Sequence, residues 1–213
     1  MRQQAIAFRA GKLTLEGVVT LPTSASGPFP GVALCHPHPM FGGSMDSPIV
    51  QALCLALNDS GAATLRFNFR GVGSSEGRFD RGEAEQEDLR AAVETLRRWP
   101  GVDGKRIGVA GVSFGAVVAL EAVRKLKPVG ALAALAPTLG GVRRTKLDKF
   151  RGPKLVLVGD RDLLVPHEEL AGLVSEMPPP TEWEVMASAD HTFAGAETVA
   201  AERAAGFLAA ALR

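Results

Sequence analysis

The chain has 213 residues, 46% hydrophobic and 22% charged, enough for one core and without a composition break that would mark a second domain. A formal net charge of +1 argues against nucleic acid or an acidic membrane surface as a main partner, since those usually leave a strongly basic face. A neutral or small molecule is the expected partner. There is no run of about 18 apolar residues, and the N-terminal residues lack the apolar segment of a signal peptide, so a cytoplasmic protein with no membrane partner is expected. Oligomeric state is not legible. Two cysteines, Cys35 and Cys54, are too few for a disulfide framework and sit in apolar segments, where free buried thiols are the expectation.

In chain order, "QAIAF" and "LTLEGVVTL" alternate with period two around "RAG", which predicts an antiparallel hairpin within the first 21 residues. "PTSASGPFP" (22–30) is a loop. Short apolar runs follow at 31–35, 63–69, 106–111, 129–135 and 154–159, each suited to a strand covered on both faces, with a weaker strand at 182–186. Helical patterns lie between them at 48–59, 83–99, 114–126, 167–176 and 196–212. The second of these places Leu89, Val93 and Leu96 at helical spacing, with acids early and arginines late, as the helix dipole favours. Alternating strand and helix predicts an α/β fold: a mostly parallel eight-stranded sheet with helices on both faces and the hairpin at its edge.

Two stretches fit G-x-S-x-G: "GSSEG" at 73–77 and "GVSFG" at 111–115. A nucleophilic serine needs a sharp turn from strand to helix, so that its hydroxyl is exposed above a helix N-terminus. Ser113 has that context, with "RIGVAG" before it and "FGAVVALEAV" after. Ser75 leads into polar, glycine-rich sequence and reads as a turn serine. A serine hydroxyl also needs a base to take its proton and an acid to orient that base. His191, in "ADHTF" between the last strand and the last helix, is the expected base. His167 reads as a helix-start residue. For the acid, Asp160 and Asp162 in "GDRDLLVP" both leave the carboxyl end of a strand, where functional groups of such sheets gather.

With these residues in order, the chain resembles the α/β-hydrolase superfamily over nearly its whole length. More narrowly, "HPHPMFGGSMD" and "RFNFRGVGSSEG" look like the small, lidless bacterial hydrolases related to the dienelactone hydrolases. The resemblance implies Asp162 as the acid, through the loop pattern G-x-x-D-x-x-V-P, and leaves Asp160 to structure the loop. The dienelactone hydrolases use a cysteine where this chain has Ser113, so their lactone substrates do not transfer.

Acyl transfer needs fixed N–H groups around the developing oxyanion. Phe114 should supply one. The superfamily takes the second from the x of His-Gly-x, which here is His38 in "HPH", with Met40 as the alternative. Pro37 and Pro39 have no N–H and stiffen this loop. A zinc site from His36, His38 and Asp46 is weighed against, because residues 36 and 38 alternate in an extended loop; His36 is read as packed against the sheet end, and no metal or cofactor is expected. Arg70 is read as a structural anchor and "RRTK" (143–146) as a solvated loop.

Only about 17 residues separate the strands ending near 136 and starting at 154, where larger relatives insert a lid, so no lid domain is expected. An uncovered pocket, lined by Met40, Phe41, Phe114 and Phe193, suits short acyl groups. The function expected is a serine hydrolase acting as a carboxylesterase on small short-acyl esters. Thioesterase, amidase or peptidase activity with the same triad stays open, as does a non-catalytic binding module.

Overall fold

Burial at successive positions, on both faces of the sheet, is what makes central strands of the short apolar runs. A computed structural model describes residues 2–23, 27–127, 129–145, 147 and 150–213. It contains strands β1 (Arg2–Ala10), β2 (Leu13–Leu21), β3 (Phe29–Cys35), β4 (Ala63–Phe67), β5 (Val102–Val112), β6 (Val129–Leu135), β7 (Lys154–Gly159) and β8 (Thr181–Met186). They form one eight-stranded sheet in the order β1-β2-β4-β3-β5-β6-β7-β8. The hairpin β1–β2 joins β4 antiparallel, and every pairing from β4 to β8 is parallel.

Six helices accompany the sheet among the described residues: α1 (Pro48–Asp59), α2 (Glu85–Arg97), α3 (Phe114–Ala122), α4 (Leu139–Arg144), α5 (His167–Ser175) and α6 (Glu197–Ala211). Ala33, Val109 and Val156 point to one face, where Leu89, Val93 and Leu96 of α2 and Val118 of α3 cover them. Val32, Ala110 and Leu157 point to the other, under Ile49, Leu53 and Leu57 of α1 and Ala204 and Leu208 of α6. Two apolar layers therefore sandwich the sheet, and at 25 cal/mol per Å², roughly, their burial is the main stabilising term. None of the described helices is long and apolar enough to cross a membrane.

The six-residue α4 replaces part of the loop expected at 143–146. Arg143 and Arg144 close this helix and pair with Glu169 (3.3 Å) and Glu121 (3.6 Å); Lys146 lies outside the described residues. Gly141 explains the placement: a Cβ there would stand 2.2 Å from Val117 Cγ2, so α4 rests directly on α3. Six residues are too few for a helical period to register. Between β6 and β7 the described residues hold only this helix and its flanks, with no lid domain.

β4 hands the chain to the loop that reaches α2, and one ion pair fastens that loop. Arg70 donates from Nε and Nη2 to Asp88, whose Oδ2 also accepts the Arg70 backbone N–H at 3.0 Å. The Asp88 side chain is fully buried. Removing one member of such a pair strands the other charge, at a cost of about 3–5 kcal/mol, whereas an exposed pair contributes under about 1 kcal/mol. Arg70→Met should therefore lower the urea-unfolding free energy by about 3–5 kcal/mol. Arg90→Met, at the exposed Glu87 pair, should cost less than about 1 kcal/mol. Equal losses in the two variants would show that burial does not govern them.

Candidate active site

The chain passes from β5 to α3 in a single residue. Ser113 makes that turn with φ 52° and ψ −113°, a region that costs a non-glycine residue on the order of 1–3 kcal/mol and persists only when its surroundings enforce it. They do so through backbone. The Ser113 N–H donates to Leu135 O at 2.8 Å, and its carbonyl accepts from Val117 N at 3.1 Å. A Cβ on Gly111 would lie 2.4 Å from Gly115 O, and one on Gly115 would lie 2.4 Å from Cys35 O. Both flanking glycines are thus dictated by close backbone approach, which carries the start of α3 up to the end of β3.

Ser113 Oγ lies 2.8 Å from His191 Nε2, and His191 Nδ1 lies 2.7 Å from Asp162 Oδ2. The ionised carboxylate only accepts, so Nδ1 carries the proton and Nε2 is left to accept from the serine hydroxyl. Asp162 is held by its other oxygen, which accepts from Leu164 N and Val165 N, each at 2.9 Å. Its side chain is fully buried and that of His191 nearly so. The histidine loop has its own clasp in Asp190, a residue the sequence did not single out. Asp190 Oδ1 accepts from Thr192 N, Thr192 Oγ1 and Ala194 N at 2.8–3.0 Å. The Ala194 N–H, aided by the Thr192 donors, holds the Asp190 carboxyl below the usual carboxylate range.

The loop after β3 turns tightly over residues 38–43. His38 O accepts from both Phe41 N and Gly43 N at 3.1 Å. The Met40 N–H is engaged by His38 Nδ1 at 3.2 Å, whereas the His38 and Phe114 N–H groups have no acceptor among the described residues. Of the two candidates for a second oxyanion donor, His38 is the one whose N–H is free. His38, Ser113, Phe114 and His191 all border the same cavity.

Other residues hold these loops in place. The Ser75 hydroxyl donates to Asn68 O at 2.7 Å and accepts from Glu16 N at 3.1 Å, which makes it a buried turn residue remote from His191 in the bonding pattern. His36 is fully buried. Its Nδ1 bonds Pro37 O at 2.6 Å, its Nε2 accepts the Phe69 N–H at 3.1 Å, and its ring meets Phe69 edge-on. Both its nitrogens are engaged, and Asp46 pairs with Arg66. Burial pushes the Cys35 thiol up. His167 begins α5 and lies 3.3 Å from Glu168. Asp160 is exposed, and the clasp within this loop comes from Asp162 instead.

A cavity of about 910 Å³ opens above Ser113, walled by Phe41, Ile49, Phe79, Phe114, Val117 and Leu164 among others. Phe41 and Phe114 stand in that wall as expected. Met40 and Phe193 do not. Met40 is 72% exposed and turns away to solvent, because the tight 3-10 turn presents only one of two successive side chains to the cavity. Phe193 is fully buried in the layer beneath α1 and α6. Its φ of 58° and the Phe193 N to Asp190 O bond (3.1 Å) reverse the chain after His191 and send the ring inward. Ile49, Phe79 and Leu164 come from three separate segments, and no local pattern marks them.

Burial lowers the His36 pKa to about 4, opposed in part by the bond to Pro37 O. Unfolded, the ring titrates near 6.5, so between these values the unfolded state holds more protons. Its contribution to stability is complete above about pH 6.5 and is lost as pH falls toward 4, by about 3 kcal/mol in all. Urea unfolding of wild type and His36→Gln at pH 7 and pH 4.5 should show the wild-type advantage shrinking by most of that amount. A constant difference would show that His36 takes up its proton equally in both states.

Residues 34–211 match the alpha/beta hydrolase domain family. An alpha-beta serine hydrolase homologue from Coxiella burnetii is 33% identical, with a TM-score of 0.84 and 97% of each chain covered. A serine hydrolase without lid from Xanthomonas campestris is 32% identical, with a TM-score of 0.80 over 95% of this chain and 94% of that one. A dienelactone hydrolase from Anabaena variabilis, 23% identical, shares the fold at a TM-score of 0.82 over 100% of this chain and 99% of its own. With its eight-stranded sheet, its one-residue turn at Ser113 and no lid domain among the described residues, the chain belongs to the alpha/beta hydrolase family and is similar to a serine hydrolase without lid.

Proposed function

We propose that the protein is a serine carboxylesterase that cleaves small esters through an acyl-enzyme on Ser113. The observation that carries this reading is the hydrogen-bonded chain from Ser113 Oγ through His191 to Asp162 at the floor of a largely apolar cavity. His191 Nε2 takes the serine proton as Oγ attacks the ester carbonyl, and Asp162 stabilises the imidazolium that forms. The oxyanion accepts from the Phe114 and His38 N–H groups, each such donor being worth roughly 2.7–4 kcal/mol in the transition state. His191 then returns the proton to the departing alcohol. Water attacks the acyl-serine by the same route in reverse, with no cofactor required.

A fluorophosphonate probe followed by mass mapping should place the adduct on Ser113. Ser113→Ala should abolish ester hydrolysis, and Ser75→Ala should keep most of it; activity surviving in Ser113→Ala would overturn the reading. Asp162→Asn should cost about 10⁴ in kcat, since the wrong histidine tautomer then faces the serine, and Asp160→Asn far less. A larger loss at Asp160 would mean that another carboxylate orients the base.

Acyl length gives a separate test. Each buried methylene is worth roughly 0.8 kcal/mol, close to fourfold in rate, until the chain reaches water. For linear p-nitrophenyl esters, kcat/KM should peak between two and about six carbons in an unlidded cavity that must also hold the alcohol portion. A steady rise through twelve carbons, measured below the micelle concentration, would contradict this.

A further inference from the structure

One wall of the cavity carries a cluster of side chains that the ester mechanism, which uses only backbone N–H groups there, leaves idle. The His38 ring centroid lies 5.0 Å from Phe41, 5.0 Å from Phe79 and 5.2 Å from Phe114, and Phe79 and Phe114 are 5.4 Å apart. All four residues border the cavity. Phe41 is 87% exposed and so forgoes the burial a phenylalanine ordinarily gains, which leaves an apolar ring open to whatever enters the cavity it borders.

The histidine in this wall has a defined tautomer. Its Nδ1 accepts the Met40 N–H, and a nitrogen that accepts carries no proton, so the neutral ring bears its proton on Nε2. Burial lowers the pKa of the ring, against a smaller opposing pull from Glu85, which favours that neutral form. Among the described residues Nε2 has no hydrogen-bond partner. The wall thus combines phenyl rings with one donor that has no protein partner among the described residues and is open to water. An alkyl group pressed against it would cover the N–H without replacing its water, and a covered, unpaired donor is costly. An aromatic ring packs against phenylalanine edges and faces, and an oxygen on that ring can accept the N–H.

We propose that the His38, Phe41, Phe79 and Phe114 wall is a subsite for an aromatic ring bearing a hydroxyl or methoxyl oxygen, carried on either the acyl or the alcohol side of the ester. This rests on the serine-esterase reading above. A ring packs six carbons into the depth of a short chain, so the subsite is compatible with a limit on linear acyl length.

The test compares a saturated six-carbon ring with a methoxy-bearing aromatic one. On the acyl side, ethyl cyclohexylacetate is measured against the three ethyl methoxyphenylacetates. On the alcohol side, 2-cyclohexylethyl acetate is measured against the three 2-(methoxyphenyl)ethyl acetates. Each kcat/KM is divided by the rate of hydroxide hydrolysis to remove intrinsic reactivity. In at least one arm the best methoxyphenyl ester should exceed its cyclohexyl counterpart by about threefold to tenfold, the size of one or two aromatic contacts. That ratio should fall toward one in the Phe41→Leu, Phe79→Leu double variant, whose folded state is verified by fluorophosphonate labelling of Ser113. No methoxyphenyl preference in either arm, or a ratio unchanged in the double variant, overturns the subsite while p-nitrophenyl acetate hydrolysis keeps the esterase reading intact. If neither that acetate is hydrolysed nor Ser113 labelled, the esterase reading fails and the subsite falls with it.

Discussion

The absence of a side chain at Gly115 is the constraint on which the site depends. The carbonyls of Cys35 and His36 occupy the space a Cβ would need, at 2.4 and 2.5 Å. Only because nothing stands there can the first turn of α3 abut the end of β3. That contact sets the Phe114 N–H beside the loop holding the His38 N–H, and it fixes the positive φ that lifts Ser113 clear of the sheet. The strain at Ser113 is balanced by apolar layers on both faces of the strands that carry it, so its hydroxyl rests on a closely packed part of the molecule.

The groups around that centre are held by backbone donors and acceptors more than by side-chain packing. Asp162 is clasped by two N–H groups, Asp190 by two N–H groups and a hydroxyl, and the 38–43 turn by the His38 carbonyl. Farther out, Asn68 joins Met45 N to Glu16, and Glu16 in turn takes the Ser74 N–H. A carboxylate that accepts several N–H bonds, whether buried like Asp162 or exposed like Asp190, is held in place, which is what a site on loops requires. The loops inherit the rigidity of the sheet through polar contacts.

Legibility in the sequence followed how local the determining physics is. The central strands were visible because burial on both faces leaves an unbroken apolar run, and the choice of Ser113 over Ser75 followed from a strand before it and a helix after it. Asp162 was separable from Asp160 only through resemblance to a known loop pattern; both leave the same strand, and the bonds that distinguish them run to N–H groups two and three residues on. Phe193 was misplaced because nearness to His191 in sequence says nothing of direction through a turn with positive φ. Phe79, Ile49 and Leu164 escaped notice because a cavity wall is assembled by tertiary structure from segments that share no pattern.

Asp162 divides its labour between two oxygens, one aimed at His191 and one spanning back to the N–H groups of residues 164 and 165. That second bridge uses only amide hydrogens, so any residue but proline can supply it. Leu163 and Leu164, 94% and 71% exposed, are not constrained by the core either. Leu164, which borders the cavity, is therefore uncoupled from the geometry of Asp162 beside it. Substitution at 164 by any residue other than proline changes the cavity wall while leaving the clasp on Asp162 in place.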